Sequence, residues 1–122
     1  MITGTVRGRE ARIRLAVRAA NGQEQEIDAV VDTGYTAWLT MPSAMIPSLG
    51  LPWHSVGSGI LADGSRCLLD VFEATVIWDG RARRVFVDDA DTTPLVGMAL
   101  MDGYELNVEI RLNGNVRLKS IV

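Results

Sequence analysis

An aspartate that closes an apolar run invites a chemical reading, and this chain places Asp32-Thr33-Gly34 directly after Ile27-Asp28-Ala29-Val30-Val31. A carboxylate at the edge of a core is costly unless its lone pairs are satisfied. Gly34, lacking a Cβ, lets backbone amides approach the carboxylate closely, and Thr33 adds a short hydroxyl beside it. The product is an oriented acid. One carboxylate cannot at the same moment be base for a water and acid for a leaving amine. Two carboxylates about 3 Å apart can, because like charges that close share one proton. The chain has one Asp-Thr-Gly, so the second carboxylate must come from a second copy, which a two-fold dimer supplies on its axis. By residue frequencies the tripeptide arises in roughly one or two chains of this size per hundred. It also suits a plain turn with Asp32 in an Asx-type hydrogen bond, so both readings stay open on the tripeptide alone.

Other chemistry has less to work with. His54 is the sole histidine and Cys67 the sole thiol, so a nucleophile with a histidine base would have to use these two single residues. A polar strand residue and a small core residue are the simpler expectations for them. Asp88, Asp89 and Asp91 lack the glycine-centred spacing of a calcium loop and read as a solvated acidic segment. Arg81, Arg83 and Arg84 read as a solvated face, and Trp38, Trp53 and Trp78 as core aromatics. No glycine-rich phosphate cradle is present.

Composition bounds the class. A chain of 122 residues, 48% of them apolar, can bury one modest core, so residues 1–122 are expected to form one domain. A net charge of −3 is the wrong sign for a nucleic-acid partner and gives no reason to expect a membrane surface. A lone cysteine permits no internal disulfide. Arg7, Arg9 and Glu10 near the start have no apolar stretch behind them, unlike a signal peptide. No segment reaches the roughly 18 apolar residues that span a bilayer. A cytoplasmic setting is the expectation.

The elements that must position Asp32 read mostly as strands. Ile13, Leu15 and Val17 alternate with Arg12, Arg14 and Arg18, the mark of a half-buried strand. Asn21-Gly22 predicts a tight hairpin turn, and Glu24 to Asp32 the return strand that enters the core. Pro42 to Gly50 predicts a brief helical turn, with Pro42 at its first position and Gly50 as a left-handed cap. Strands follow from Trp53, with a hairpin tip at Ala62-Asp63-Gly64-Ser65, a long strand from Arg66 to Trp78 and a turn at Asp79-Gly80. Val85 to Asp88 closes the next strand. Met98 to Asp102 predicts one helical turn stopped by Gly103, and Asn113-Gly114 joins strands at Tyr104 to Leu112 and Val116 to Ile121. The expected fold is all-β, a closed or nearly closed barrel with one or two short helices.

From about Ala11 to Lys119 this pattern resembles the retropepsin-like (clan AA) aspartic peptidases, and most closely their small stand-alone prokaryotic members. Ala29-Val30-Val31-Asp32-Thr33-Gly34 resembles the catalytic strand and loop, and Trp38-Leu39-Thr40 the strand after it. The hairpin Leu61, Ala62, Asp63, Gly64, Ser65 stands at the position of the family's flap. Pro94-Leu95-Val96-Gly97-Met98 resembles the segment that passes behind the active site in a ψ-shaped crossing and leads into a short helix. The resemblance implies a retropepsin-like barrel with a flap hairpin and a homodimer with Asp32 of each subunit as the catalytic dyad. It further implies an extended peptide or protein substrate, and no cofactor and no metal. Thr33, Gly34, Leu95, Val96 and Gly97 would support the site. Leu61, Ala62, Asp63, Gly64 and Ser65 would close over the substrate. Two positions depart from the pattern. Tyr35 stands where the family usually has Ala or Ser, and would line a substrate pocket; Met98 stands where viral members have an arginine that supports the dimer. A non-catalytic retropepsin-like peptide-binding module is the alternative function.

Overall fold

A computed structural model describes residues 1–121 as ten strands and two short helices. In chain order the strands are β1 (Ile2–Arg7), β2 (Glu10–Arg18), β3 (Glu24–Val31) and β4 (Leu39–Met41). After helix α1 (Met45–Leu49) come β5 (Trp53–Ile60), β6 (Arg66–Trp78), β7 (Arg81–Asp89) and β8 (Leu95–Val96). Helix α2 (Met98–Met101) precedes β9 (Tyr104–Val108) and β10 (Asn115–Ser120).

All ten strands belong to one sheet, ordered β5-β6-β7-β4-β8-β3-β2-β1-β10-β9. The far end of β2 also pairs with β6, matching Ala16 to Ile77 and Arg18 to Thr75. That extra pairing closes β6, β7, β4, β8, β3 and β2 into a ring. The expected barrel is therefore closed on six strands, with the β5–β6 hairpin projecting from one side and β1, β10 and β9 extending the sheet on the other.

Period-two patterning fills this ring. Ile13, Leu15 and Val17 of β2 are buried, while Arg14 and Ala16 between them and Arg18 after them lie on the other face. The buried side chains meet Val76 and Trp78 of β6, Val85 and Val87 of β7, and Leu39, Val96 and Leu100 in one apolar cluster.

Two hairpins share a construction. In Ala19-Ala20-Asn21-Gly22-Gln23 and in Leu61-Ala62-Asp63-Gly64-Ser65 the first residue's N–H bonds to the fifth residue's carbonyl, at 2.8 Å in each. The fourth is a glycine at positive φ, 84° and 85°. The third residue's Oδ1 accepts the fifth residue's N–H at 3.0 and 2.8 Å. These are three-residue loops with a left-handed glycine, one residue longer than the expected two-residue turn at Asn21-Gly22.

Three further expectations need correction. Strand β1 is absent from the sequence reading: Ile2–Arg7 is half polar, and it becomes a strand because β2 and β10 pair on its two edges. Helix α1 begins at Met45, three residues after Pro42, and Pro47 sits in its first turn, where its missing N–H has no intrahelical partner to lose. Strand β7 runs from Arg81 to Asp89, with Val85 to Asp88 in its closing half. Strand β9 ends at Val108, because Glu109 N–H bonds to the Asn115 carbonyl at 2.9 Å and closes the loop early. Ile110 and Leu112, which continue the alternation, are left exposed.

Candidate active site

Asp32 follows the last residue of β3, and the neighbouring strand decides its position. Strand β8 lies parallel to β3 on one edge (Val30 opposite Leu95, Val31 opposite Val96) and antiparallel to β4 on the other. The backbone continues the pairing past the strand ends, with Asp32 N–H on the Val96 carbonyl at 2.9 Å.

The turn of chain after β8 then ties down the loop from Asp32 to Trp38. Gly97 N–H donates to the Trp38 carbonyl at 3.0 Å, Met98 N–H to Tyr35 at 2.8 Å and Ala99 N–H to Ala37 at 3.1 Å. The donors of Met98 and Ala99 are first-turn amides of α2 that have no partner inside their helix. The loop that carries Asp32 satisfies them, so helix start and loop order each other. Gly97 is required by proximity: a Cβ there would fall 2.1 Å from the Ala37 carbonyl oxygen and 2.7 Å from Cδ2 of Tyr35. Arg83 fastens the far end of α2, donating to the Leu100 carbonyl at 3.1 Å with its guanidinium 5.0 Å from the Trp38 ring centroid. Arg83 is therefore half-buried and engaged rather than part of a solvated face, unlike the exposed Arg81 and Arg84.

Within the loop, Gly34 N–H donates to Asp32 Oδ1 at 2.9 Å and Tyr35 N–H to the Asp32 carbonyl at 3.2 Å. Asp32 is half-buried, while Thr33 and Gly34 are exposed. A Cβ on Gly34 would sit 3.3 Å from Asp32 Oδ1, so the glycine keeps space beside the carboxylate. Leu95 is half-buried, and Val96 and Gly97 are buried behind the loop.

Tyr35 turns away from the loop and donates its phenol hydrogen to Asp88 Oδ2 at 2.7 Å. Burial pushes the Tyr35 hydroxyl well above its ordinary titration range; Thr40, donating to the phenol oxygen, opposes this, and the charges of Asp88 and Asp32 add to it. The phenol stays protonated and can only donate to Asp88. Thr40 is the one polar residue among the buried side chains described.

A groove of about 550 Å³ runs between this loop and the β5–β6 hairpin. Gly34, Tyr35, Leu95 and Asp88 line one side, and Gly57, Gly59, Leu61, Cys67 and Leu69 line the hairpin side. Of the residues expected to contact a substrate, Tyr35 and Leu61 line the groove; Ala62, Asp63, Gly64 and Ser65 form the exposed tip beyond it. Asp32 stands at its margin, beside the lining residues Gly34 and Tyr35. Asp63 accepts from both the N–H and the hydroxyl of Ser65, at 2.8 and 2.5 Å, and this holds its carboxyl below the usual range.

No family model matches the sequence, and no curated protein matches it either. Solved structures do match the fold, two proteases among them. A retropepsin-like aspartic protease from Rickettsia conorii superposes with a TM-score of 0.54 at 14% identity, over 98% of this chain and 94% of that one. EIAV protease, complexed with the inhibitor HBY-793, superposes with a TM-score of 0.53 at 15% identity, over 77% of this chain and 86% of that one. The chain has the retropepsin fold. Within that fold the segment Pro94-Leu95-Val96-Gly97 does cross behind the Asp32 loop, and the β5–β6 hairpin projects over the groove.

Sequence reasoning missed two groove residues of this retropepsin fold and misplaced others. Asp88 was expected in a solvated acidic segment, yet it is half-buried in β7 and lines the groove. Alternation could have found it: Val85 and Val87 face the core, so Asp88 faces away. Cys67 was expected in the core but lies half-buried on the inner face of the hairpin, opposite Gly59. Of the three tryptophans only Trp78 is fully in the core; Trp53 is exposed and Trp38 half-buried under Arg83. His54 is an exposed strand residue whose ring lies 4.7 Å from Phe86. Among the described residues no group of three acidic, histidine or cysteine side chains could hold a metal ion, and no helix is long and apolar enough to cross a membrane.

Proposed function

We propose that the protein is an aspartic endopeptidase that works as a homodimer, with Asp32 of each subunit forming the catalytic dyad. The observation that carries this is the setting of Asp32: a half-buried carboxylate on a loop fastened by β8 and α2, held by the Gly34 amide at 2.9 Å, beside a hairpin-covered groove. Fixed geometry is what a dyad needs, since the shared proton depends on the two carboxylates being held close.

In the proposed reaction the ionised member of the pair takes a proton from a water as that water attacks the peptide carbonyl. The protonated member donates to the carbonyl oxygen. Transfer to the leaving nitrogen then breaks the C–N bond, and no covalent enzyme intermediate forms. Thr33 ties the two loops together across the axis, and Gly34 orients the carboxylates. Leu61 to Ser65 close over an extended substrate and exclude water, with backbone groups adding to the peptide as a neighbouring strand would. The protein acts within one domain and in a cytoplasmic setting.

A mixed peptide library incubated between about pH 4 and 7 tests this, with Asp32→Asn alongside. Cleavage by the wild type and loss of cleavage in the variant uphold the reading. Equal cleavage by both removes Asp32 from the chemistry, and binding without cleavage by the wild type favours the non-catalytic peptide-binding module.

A further inference from the structure

We propose that Asp88 is a specificity-determining residue of the groove, receiving the cationic side chain of a lysine or arginine in an extended peptide. The cleavage arm of this proposal rests on the peptidase reading; the binding arm does not.

The first argument is placement. The alternation of β7 buries Val85 and Val87 and sends Asp88 to the opposite face, where it lines the groove beside Tyr35. The second is charge. Asp88 is the one charged residue in the groove lining, which has no lysine, arginine or histidine. None of the salt bridges among the described residues involves it. The third is unused bonding capacity. Oδ2 accepts one hydrogen bond, from the Tyr35 hydroxyl at 2.7 Å, and no bond among the described residues reaches Oδ1. Tyr35 stays neutral, so the hydrogen bond orients the carboxylate without cancelling its charge.

A half-buried carboxylate with no cation selects its own ligand. An apolar substrate side chain would strip water from Asp88 and return nothing, and an acidic one would meet like charge. A lysine or arginine returns a charge-assisted hydrogen bond while its methylene stem covers Leu61 and Leu69.

The test is a peptide series identical except at one position, which carries lysine, norleucine or glutamate and is moved stepwise along the sequence. At one position the wild type should favour lysine over norleucine in kcat/KM by roughly 10- to 100-fold, with glutamate lowest. Asp88→Asn should collapse that ratio towards one, and Asp88→Glu should retain it, which a purely structural role for Asp88 would not produce. A lysine-to-norleucine ratio within about twofold at every position overturns the proposal. So does a preference that survives Asp88→Asn. If no peptide is cut, the peptidase reading fails by itself, and fluorescence anisotropy of the same peptides on the wild type decides the site. Tighter binding of the lysine peptide upholds it, and equal binding of all three overturns it. The wild-type series stands alone should a variant not fold.

Discussion

Tyr35 and Asp88, 53 residues apart in sequence, are joined by a 2.7 Å hydrogen bond that links the Asp32 loop to the end of β7. Removing it in Tyr35→Phe should cost about 1.5 to 3 kcal/mol, the usual worth of a hydrogen bond to a charged acceptor. Thermal or urea unfolding reads this directly. The pH dependence has a defined sign. Tyr35 titrates above its ordinary value of 10.0 in the folded chain, so on raising pH the unfolded chain loses this proton first. The contribution is complete below that value and is lost as pH climbs from it towards the folded value. Wild type should therefore lose stability more steeply than Tyr35→Phe as pH rises above about 10.

The two glycines around the loop should respond very differently to alanine. Gly97→Ala drives a Cβ to 2.1 Å from a backbone oxygen, which neither neighbour can yield without moving the loop. A loss of about 3 kcal/mol or more is expected, with unfolding as an admissible result. Gly34→Ala meets only the Asp32 side chain, at 3.3 Å. Its fold should persist with under about 1 kcal/mol lost, while peptide cleavage falls sharply because the carboxylate must shift. Comparable unfolding midpoints for the two variants would refute this account of the crossing.

The tip of the β5–β6 hairpin contains a titrating copy of a loop that elsewhere does not titrate. Asp63 and Asn21 hold the same position in their three-residue loops, and each accepts the N–H two residues on. Hydrogen bonds from Ser65 depress the Asp63 carboxyl below its ordinary value of 3.8. The order it lends the tip is present above that value and fades as pH falls through the depressed range. In NMR spectra recorded on acidification, the Ser65 amide should shift with that transition and the Gln23 amide should not. A Ser65 amide that ignores pH, or moves no more than Gln23, would discard the carboxylate as the tip's fastener.

How much of this was legible in the sequence depended on whether the signal was local. Asp32-Thr33-Gly34 after an apolar run, Asp63-Gly64 between two strands and Leu95-Val96-Gly97 before a helical turn each carry their geometry within a few residues. The chain reads them through glycine and alternation. Pairings between distant residues leave no such trace. Asp88 looked solvated because Asp89 and Asp91 flank it, and nothing near it in sequence announces Tyr35. Strand β1 owes its existence to partners on both edges, and its own Ile-Thr-Gly-Thr-Val-Arg run is too polar to declare it. At the other end, the alternation through Leu106, Val108, Ile110 and Leu112 continues past the last paired residue. Apolar spacing says which face a strand would present, and only the closing bond of Glu109 to Asn115 says where pairing stops.

Dimer dependence can be tested without any knowledge of the interface. If each active site needs Asp32 from two chains, a subunit carrying Asp32→Asn spoils every site it joins. Mixing wild type with an equal amount of Asp32→Asn and allowing exchange should leave about a quarter of dimers fully wild type. Activity per wild-type chain should then fall to about half, at concentrations where dimers are saturated. The same mixture made without exchange time should retain full activity, which separates subunit poisoning from competition for peptide. The decline must also vanish when the added variant cannot pair. Undiminished activity after complete exchange, with heterodimers verified by mass spectrometry, would mean that one Asp32 suffices. That result would reject the shared dyad even if Asp32 itself proved essential.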